Sequence, residues 1–415
     1  MSFNGSIRYI DNRLFIDQVP LLNITHEVDT PLYVYSLRRA LGNYQRLQEA
    51  FAPIGAHIHF SAKANGTMAV LKALIQAGAG IDAVSGGEVY KAVTAGCEPA
   101  SIVFAGAGKT TSDIRYALTV GVGWFNIENV DEARIINEQA KAVGRSDVRV
   151  AVRLNPDVTA STHPNIATGH GSAKFGLTAE AIRDLLARQG DYPHLRFEGV
   201  HVHIGSNLQT TQPTREAVER ALELIAPYAH MRTVNIGGGF PAQYHPDEDI
   251  PTPEDFARAL QPLLAGYNVL LEPGRAIIAD AGILVTKVLY TKFQGGQHLA
   301  IVDASMTELI RPMLYNAKHE IVPAHHNEEA ELLPTQVHGP VCETTDVLGR
   351  DVLLPELETG DLLAILTTGA YGSVMSSSYN ARPHPAEIIV REDGETWFVA
   401  RKRDTWSDLV RAEIY

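Results

Sequence analysis

The sequence predicts an α/β protein in which a (β/α)8 barrel of the TIM type is combined with a second, all-β domain, a β-sandwich or Greek-key barrel. Eight short apolar segments that end in small or polar residues are separated by amphipathic segments up to about residue 275. After about residue 283 the pattern changes to strand-like runs with turn residues between them and little helix. Strand–helix alternation is typical of a parallel sheet with helices outside, and eight such strands favour a closed barrel.

The elements of the predicted barrel follow in chain order. Its strands lie within residues 57–65, 80–88, 101–106, 123–129, 148–157, 197–206, 233–240 and 268–275. Amphipathic helices are predicted within residues 67–78, 86–96, 110–121, 129–144, 178–188, 212–229 and 253–265. The apolar run PLYVY (31–35) is assigned to a strand before the barrel. We therefore predict a barrel domain at 36–282, and a discontinuous β domain formed by 1–35 and 283–415.

Bulk composition narrows the classes of function. The chain has 415 residues and a formal net charge of −13, which argues against nucleic acid as a partner because phosphate backbones require a basic face. Cys97 and Cys342 are the two cysteines, too few for a disulfide framework. The sequence has no apolar run typical of a signal peptide or a membrane span. We predict a cytoplasmic protein without a membrane partner.

The segment HIHFSAKAN (57–65) carries the first candidate site residue. Alternate residues of a strand share a face, so His59, Ser61 and Lys63 are predicted to face the barrel interior. Lys63 then lies at the carboxyl end of its strand, where barrel enzymes have their active sites. A lysine there is more often an ion-pair partner than a nucleophile. A desolvated amine is nevertheless what Schiff-base chemistry needs, because desolvation lowers its pKa.

Two further segments at strand ends favour a phosphorylated cofactor. Three successive glycines in NIGGGF (235–240) follow the seventh strand, where barrels commonly bind phosphate, although a flexible turn is the simpler interpretation. Glu272, at the end of the eighth strand, could pair with a protonated ring nitrogen, or form an ion pair with Arg275. An amine, a phosphate site and a carboxylate for a basic ring nitrogen together predict pyridoxal phosphate.

His201 and His203 share one face of the sixth strand in VHVHIGS. Two histidines at this spacing could ligate a metal, but no carboxylate-rich or cysteine-rich set completes a site. We predict no metal, and an imidazole stacked on the cofactor ring. A sugar-phosphate barrel enzyme would use the glycine segment but leaves Lys63 unexplained.

Nearly the whole chain resembles the meso-diaminopimelate decarboxylase family, within the alanine-racemase-like class of pyridoxal-phosphate enzymes. The resemblance rests on the number and order of modest motifs. These are FSAKAN, GIDAVSGGE, FAGAGKT, RLNPDV, THPNIATG, SAKFG, HVHIGS, NIGGGF, LLEPGR, VDASMTELIRPMLYNAKHEI, GPVCETTDVLGRD and TTGAYGSVMSSSYNARP.

The resemblance implies a role for individual residues of this chain. The cofactor-binding residues are Lys63, Asp82, His203, Ser206, Gly237, Gly238, Gly239, Glu272, Gly274, Arg275 and Tyr371. The substrate-binding residues are Arg275, Arg311, Tyr315, Glu343 and Tyr371. The catalytic residues are Lys63, Cys342 and His203. Cys342 is implied to donate a proton from the other subunit of a homodimer whose active sites lie at the subunit interface.

The implied reaction is decarboxylation of meso-2,6-diaminopimelate at its D centre to L-lysine and CO₂, the last step of lysine biosynthesis. Its substrate has an amino-acid group at each end, so the unreactive end must be recognised as a zwitterion. Arg275 and Arg311 suit the carboxylate, and Glu343 suits the ammonium. A decarboxylase of ornithine, arginine or a specialised-pathway substrate, a racemase, and a barrel-only pyridoxal-phosphate carrier remain alternatives.

Overall fold

A computed structural model describes residues 2–158, 168–169 and 174–414. The predicted barrel is confirmed. Eight parallel strands close in chain order, each hydrogen-bonded to its sequence neighbour and the eighth to the first. They are β1 (His57–Ser61), β2 (Gly80–Ala83), β3 (Ile102–Phe104), β4 (Trp124–Ile127), β5 (Val148–Arg153), β6 (Leu195–His201), β7 (Thr233–Asn235) and β8 (Asn268–Leu271).

A helix lies within each amphipathic segment that the sequence predicted. These helices are Met68–Gln76, Gly86–Thr94, Thr111–Val120, Val130–Ala142, Ala179–Ala187, Gln212–Ile225 and Pro253–Leu264. Thr110 and Thr252 begin two of them by accepting the backbone N–H of Asp113 and Asp255, whose carboxylates accept the cap N–H in return. Such capping boxes satisfy donors that a helix start leaves unpaired. The helices Leu37–Phe51 and Arg275–Ile278 are among those that were not predicted.

Part of the barrel interior is filled by apolar side chains. Val103, Trp124, Ala151 and Leu270 come from four different strands and form one buried apolar cluster. Glycine is required between neighbouring strands at Gly80, where a Cβ would lie 2.4 Å from the His59 ring. The interior therefore holds side chains rather than a channel, and its polar groups concentrate at the carboxyl ends of the strands.

The remaining residues form mostly strands. Leu32–Ser36 lies inside a nine-stranded sheet, between Gly282–Gln294 and Ala386–Val390, which confirms that PLYVY precedes the barrel. The other strands of this sheet are Gln297–Val302, Ile321–Pro323, Leu333–His338, Val347–Leu354, Leu362–Ile365 and Trp397–Arg401. A three-stranded sheet is formed by Ile7–Ile10, Arg13–Ile16 and Val19–Pro20. Short helices are Leu21–Glu27, Arg311–Tyr315 and Trp406–Val410.

The two ends of the sequence share one core. Ile7, Leu14, Val34, Ile283 and Ile388 are all fully buried in the same apolar cluster. Residues 43–242 and 249–276 group into one compact unit, and the other described residues group into a second. The predicted domain boundaries at 35/36 and 282/283 stay a prediction. Within the described part of the chain, no helix combines the length and apolarity that a membrane crossing needs.

Candidate active site

Lys63 and Asp82 lie together at the mouth of the barrel. The strand β1 ends at Ser61, and Lys63 follows two residues later in the connecting turn. Its Nζ is 3.4 Å from Oδ2 of Asp82, which also accepts a 2.5 Å hydrogen bond from the Ser61 hydroxyl. The side chain of Lys63 is 36% exposed, whereas that of Asp82 is fully buried. The lysine is therefore accessible from the barrel mouth while its carboxylate partner is fixed below it.

The second oxygen of Asp82 is an unsatisfied group. Among the described residues, Oδ1 has no hydrogen-bond partner although it is buried. Burial, and then the charge of Glu272, raise the pKa of Asp82, and the nearby Lys63 opposes that shift. A buried carboxylate oxygen without a donor marks a position where a polar ligand group fits.

Glu272 directly follows β8 and is held by three side chains. Its Oε1 accepts hydrogen bonds from the amides of Asn126 at 2.8 Å and Asn235 at 2.6 Å. Its Oε2 lies 3.3 Å from Nε2 of His201. Burial alone raises the pKa of Glu272, but His201, Lys63 and the Asn235 amide together hold it below the usual range. Glu272 is thus a buried carboxylate kept in its charged form.

The sequence predicted Glu272 and indicated His201 as a possible metal ligand, but it did not predict which residues surround this carboxylate. Asn126 lies in the strand WFNI, Asn235 ends the strand TVN, and His201 ends the strand LRFEGVH. Their parity places them on inward faces, and this was the available signal. Because their contacts join strands that are far apart in the sequence, the signal does not reveal that all three meet one carboxylate.

His203 is held as a neutral ring. Its Nδ1 accepts a 3.1 Å hydrogen bond from the backbone N–H of Gly238. Burial is the largest cause that lowers the pKa of His203 well below its usual value, and the charges of Lys63 and Arg153 add to it. A neutral imidazole presents an apolar face without the cost of a buried charge, so the ring can pack against an aromatic ligand.

The glycine segment shapes the space beside this ring. Gly237 has φ +67°, and a Cβ there would lie 2.7 Å from Nδ1 of His203. A Cβ at Gly238 would lie 2.5 Å from the carbonyl oxygen of Glu272. The N–H groups of Gly237 and Gly238 already donate to Asn235 and His203. Only glycine fits these positions, and both N–H groups serve to orient site residues.

Arg275 and Ser206, two predicted cofactor residues, contact each other. The buried guanidinium of Arg275 donates from Nε at 3.2 Å and from Nη2 at 3.0 Å to the Ser206 hydroxyl. At Gly274 a Cβ would lie 2.8 Å from the Cβ of Ala64, so the chain after β8 approaches the turn after Lys63 closely. The hydroxyl, the guanidinium and the N–H of Gly239 are donors of the kind that bind phosphate.

A buried ionic network, which the sequence did not predict, supports the mouth of the barrel. The ammonium of Lys109 donates to Glu132 at 2.5 Å and to the carbonyl oxygen of Asn126 at 2.7 Å, with the lysine side chain fully buried. The second oxygen of Glu132 accepts the N–H of Glu128, whose carboxylate binds Arg153 at 2.8 Å. The network links the segments that carry Asn126 and Arg153.

We expect Lys109→Met to lower the free energy of unfolding by about 3–5 kcal/mol, because it leaves the Glu132 carboxylate buried without its cation. Denaturant unfolding of the purified protein measures this. Arg134→Met is the matched control, since it breaks an exposed pair with Glu138 and should change stability little. If both variants lose the same free energy of unfolding, burial is not what makes the Lys109–Glu132 pair important for stability.

The predicted residues Arg311, Tyr315 and Tyr371 lie in the other compact unit. Arg311 is buried, donates from Nε to Nε2 of His319 at 3.3 Å, and lies over the ring of Tyr244 at 5.3 Å. The ring of Tyr315 is 5.9 Å from the same guanidinium. Tyr371 is half-buried with φ +57°. Arg311 and Tyr315 are therefore brought together, with the guanidinium held in place by three rings.

Cys342 and Glu343 are both exposed. The N–H of Cys342 donates to the Asn380 side chain at 3.5 Å, and Glu343 accepts the hydroxyl of Tyr379 at 2.5 Å. That hydrogen bond raises the pKa of Tyr379. Within the described chain, these two residues are thus accessible at the surface of their own unit.

The residues at the barrel mouth fit pyridoxal phosphate. The accessible lysine matches its aldehyde, and the charged buried carboxylate matches its ring nitrogen. The neutral imidazole matches the ring face, and the space that only glycine leaves open matches the phosphate. The unsatisfied oxygen of Asp82 also fits a polar group of the ring. Histidine, cysteine, aspartate and glutamate form no group of three suited to a metal ion among the described residues.

The comparisons with known proteins agree with this fit. A family model described as pyridoxal-dependent decarboxylase, pyridoxal binding domain, matches residues 37–279. The chain is 39% identical over 418 residues to the diaminopimelate decarboxylase of Aquifex aeolicus, covering 99% of this chain and 98% of that one. It is 41% identical to the diaminopimelate decarboxylase of Pseudomonas aeruginosa, covering 98% of both.

Among solved structures, the diaminopimelate decarboxylase of M. jannaschii in co-complex with L-lysine matches with a TM-score of 0.93. The identity is 34%, and the match covers 100% of this chain and 99% of the other. Most of the motif THPNIATG (162–169) and the first residues of SAKFG (172–176) lie outside the described residues. The similarity nevertheless extends through both compact units.

Proposed function

The chain belongs to the pyridoxal-dependent decarboxylases, and we propose that it decarboxylates meso-2,6-diaminopimelate at the D centre to give L-lysine and CO₂. Similarity to diaminopimelate decarboxylases over nearly the full length is the observation that carries this proposal. The buried and charged Glu272 beside Lys63 supports it, since the chemistry requires a partner for the ring nitrogen. The enzyme is a carboxy-lyase, and its reaction is the final step of lysine biosynthesis.

Pyridoxal phosphate, when bound, supplies an electron sink for the carbon that loses CO₂. Lys63 holds the cofactor covalently and Asp82 orients the lysine. Glu272 accepts the hydrogen bond of a protonated ring nitrogen, because His201, Lys63 and the Asn235 amide keep its carboxylate charged. The neutral ring of His203 packs on one face of the cofactor.

The phosphate is held at the glycine segment. Ser206, Arg275 and the N–H of Gly239 donate to it, and Gly274 allows close approach. Gly237 and Gly238 keep this segment close to Glu272 and His203, as their short Cβ distances require.

The distal end of the substrate is recognised as a zwitterion. Arg311 suits its carboxylate because the guanidinium is already positioned by His319 and two tyrosine rings, which reduces the entropy lost on binding. Tyr315 completes this carboxylate site, and Glu343 binds the distal ammonium. An amino acid that is decarboxylated to a diamine, such as ornithine, has no distal carboxylate for Arg311 to bind.

We further propose that the enzyme is a cytoplasmic homodimer in which Cys342 and Glu343 of one subunit act in the active site of the other. Both are exposed in the single chain, as groups that serve another subunit must be. Cys342 donates the proton that replaces CO₂. A thiol with this role must stay reduced, which fits a reducing compartment.

A panel of amino acids tests the substrate. We expect CO₂ release from meso-diaminopimelate at least ~100-fold faster, as kcat/KM, than from L-lysine, L-ornithine or L-arginine, because these lack the distal carboxylate. LL-diaminopimelate is the matched control, since it has the same groups but no D centre, and should be inert. Faster release from ornithine or arginine, or isomerisation without CO₂ release, would overturn the proposal in favour of another decarboxylase or a racemase.

A further inference from the structure

His201 lies at the centre of the site, beside the carboxylate of Glu272. It ends β6, is 1% exposed, and directs its Nε2 to within 3.3 Å of Oε2 of Glu272. Neither ring nitrogen makes a hydrogen bond of normal geometry to another described residue. Burying an imidazole whose two nitrogens lack hydrogen bonds costs folding free energy, so the presence of His201 beside Glu272 needs an explanation.

The two oxygens of Glu272 differ in their surroundings. The amides of Asn126 and Asn235 both donate to Oε1. Among the described residues, Oε2 has only Nε2 of His201 as a nearby donor, at 3.3 Å. The carboxylate is thus fixed on one side, and the other oxygen is left for the histidine and for any further donor that enters the site.

We propose that His201 is a positioning residue: when the cofactor binds, the imidazole ring turns so that Nε2–H donates to the nearby Oε2 of Glu272 and fixes that oxygen for the ring nitrogen of the cofactor. The inference rests on the proposed function, because it requires pyridoxal phosphate at the barrel mouth. His201 touches neither the substrate nor the reacting carbon, and acts through Glu272. Its loss leaves the second oxygen free to rotate away from the ring nitrogen.

Other charged groups surround the pair. Asp82 on β2 lies close enough to interact electrostatically with both Glu272 and His201, and Lys63 interacts with Asp82 and Glu272. His203, two residues along the same segment, is neutral. Because Asp82 and Glu272 are like charges, a donor on His201 stabilises the carboxylate that the ring nitrogen needs.

Cofactor affinity and the state of the ring nitrogen test the inference. Apoprotein is titrated with pyridoxal phosphate labelled with ¹⁵N in its ring, and the ring nitrogen shift is recorded. We expect His201→Leu to weaken binding about 10- to 100-fold, as loss of a hydrogen bond to a charged group does, and to move the ring nitrogen shift towards its unprotonated value. His201→Gln, which retains a donor, should restore the affinity to within about threefold of the parent and return the ring nitrogen shift to the parent value.

Val200→Ala is the matched control, because Val200 is fully buried on the same strand and is one residue out of phase with His201. It should lower stability without moving the ring nitrogen shift. The inference is overturned if His201→Leu leaves shift and affinity unchanged, if His201→Gln fails to restore them, or if Val200→Ala has the same effect. A parent protein that does not bind pyridoxal phosphate at all would instead remove the proposed function.

Discussion

Lys63→Ala is expected to abolish decarboxylation, with kcat falling by about 10,000-fold or more, because the side chain supplies the covalent attachment of the cofactor. Reduction with borohydride followed by peptide mass analysis should find a pyridoxyl phosphate group on the peptide containing Lys63 in the parent and none in the variant. Pyridoxal phosphate should still bind noncovalently, since Glu272, His203 and the phosphate donors remain.

The control for this change is Lys72→Ala, an exposed lysine on the helix Met68–Gln76 that should behave as the parent. A reduced adduct on another peptide of the Lys63→Ala protein would show that a different lysine carries the cofactor. Retention of full turnover by that variant would end the proposal that this barrel works through Lys63.

The fold was predictable because its periodicities are local. Each barrel strand is an apolar segment that ends in a small or polar residue, and each helix between them has an apolar face of period 3.6. The prediction did not include the helix Leu37–Phe51, although its apolar residues recur at helical spacing. Arg275–Ile278 is a single turn, too short for a periodic signal.

The candidate site was predictable only in part. Lys63 and Glu272 come from segments whose residue types indicate chemistry, and Asp82 was implied by the family resemblance. The structure brings all three together. Asn126 and Asn235 were missed, because an amide on an apolar strand does not indicate by itself which group it serves. The resemblance to a family named the residues that a cofactor touches, whereas the contacts beneath them depend on how the barrel closes.

Cys342→Ala is expected to reduce kcat by about 100-fold or more, because a general acid at the product carbon is lost, while cofactor attachment at Lys63 stays intact. Steady-state kinetics together with the borohydride adduct measure both. Cys97→Ala is the matched control: that thiol is buried away from solvent, and burial raises its pKa to about 11, which makes it a weaker acid than an exposed thiol. Normal turnover of the Cys342 variant would remove the thiol from the reaction.

Whether Cys342 acts across subunits is decided by combining two inactive chains. The heterodimer carries Lys63→Ala in one chain and Cys342→Ala in the other, and is purified through two different tags. If each site takes its thiol from the other subunit, both changes meet in one site and the second site carries neither. If the thiol comes from the other subunit, this heterodimer should show about half of the parent activity. If Cys342 serves the site of its own chain, each site carries one change and the heterodimer keeps no more than about 1% of the parent activity. Since the single chain exposes Cys342 and Glu343 together, the same heterodimer made with Glu343→Gln in place of Cys342→Ala should give the same answer for the substrate ammonium.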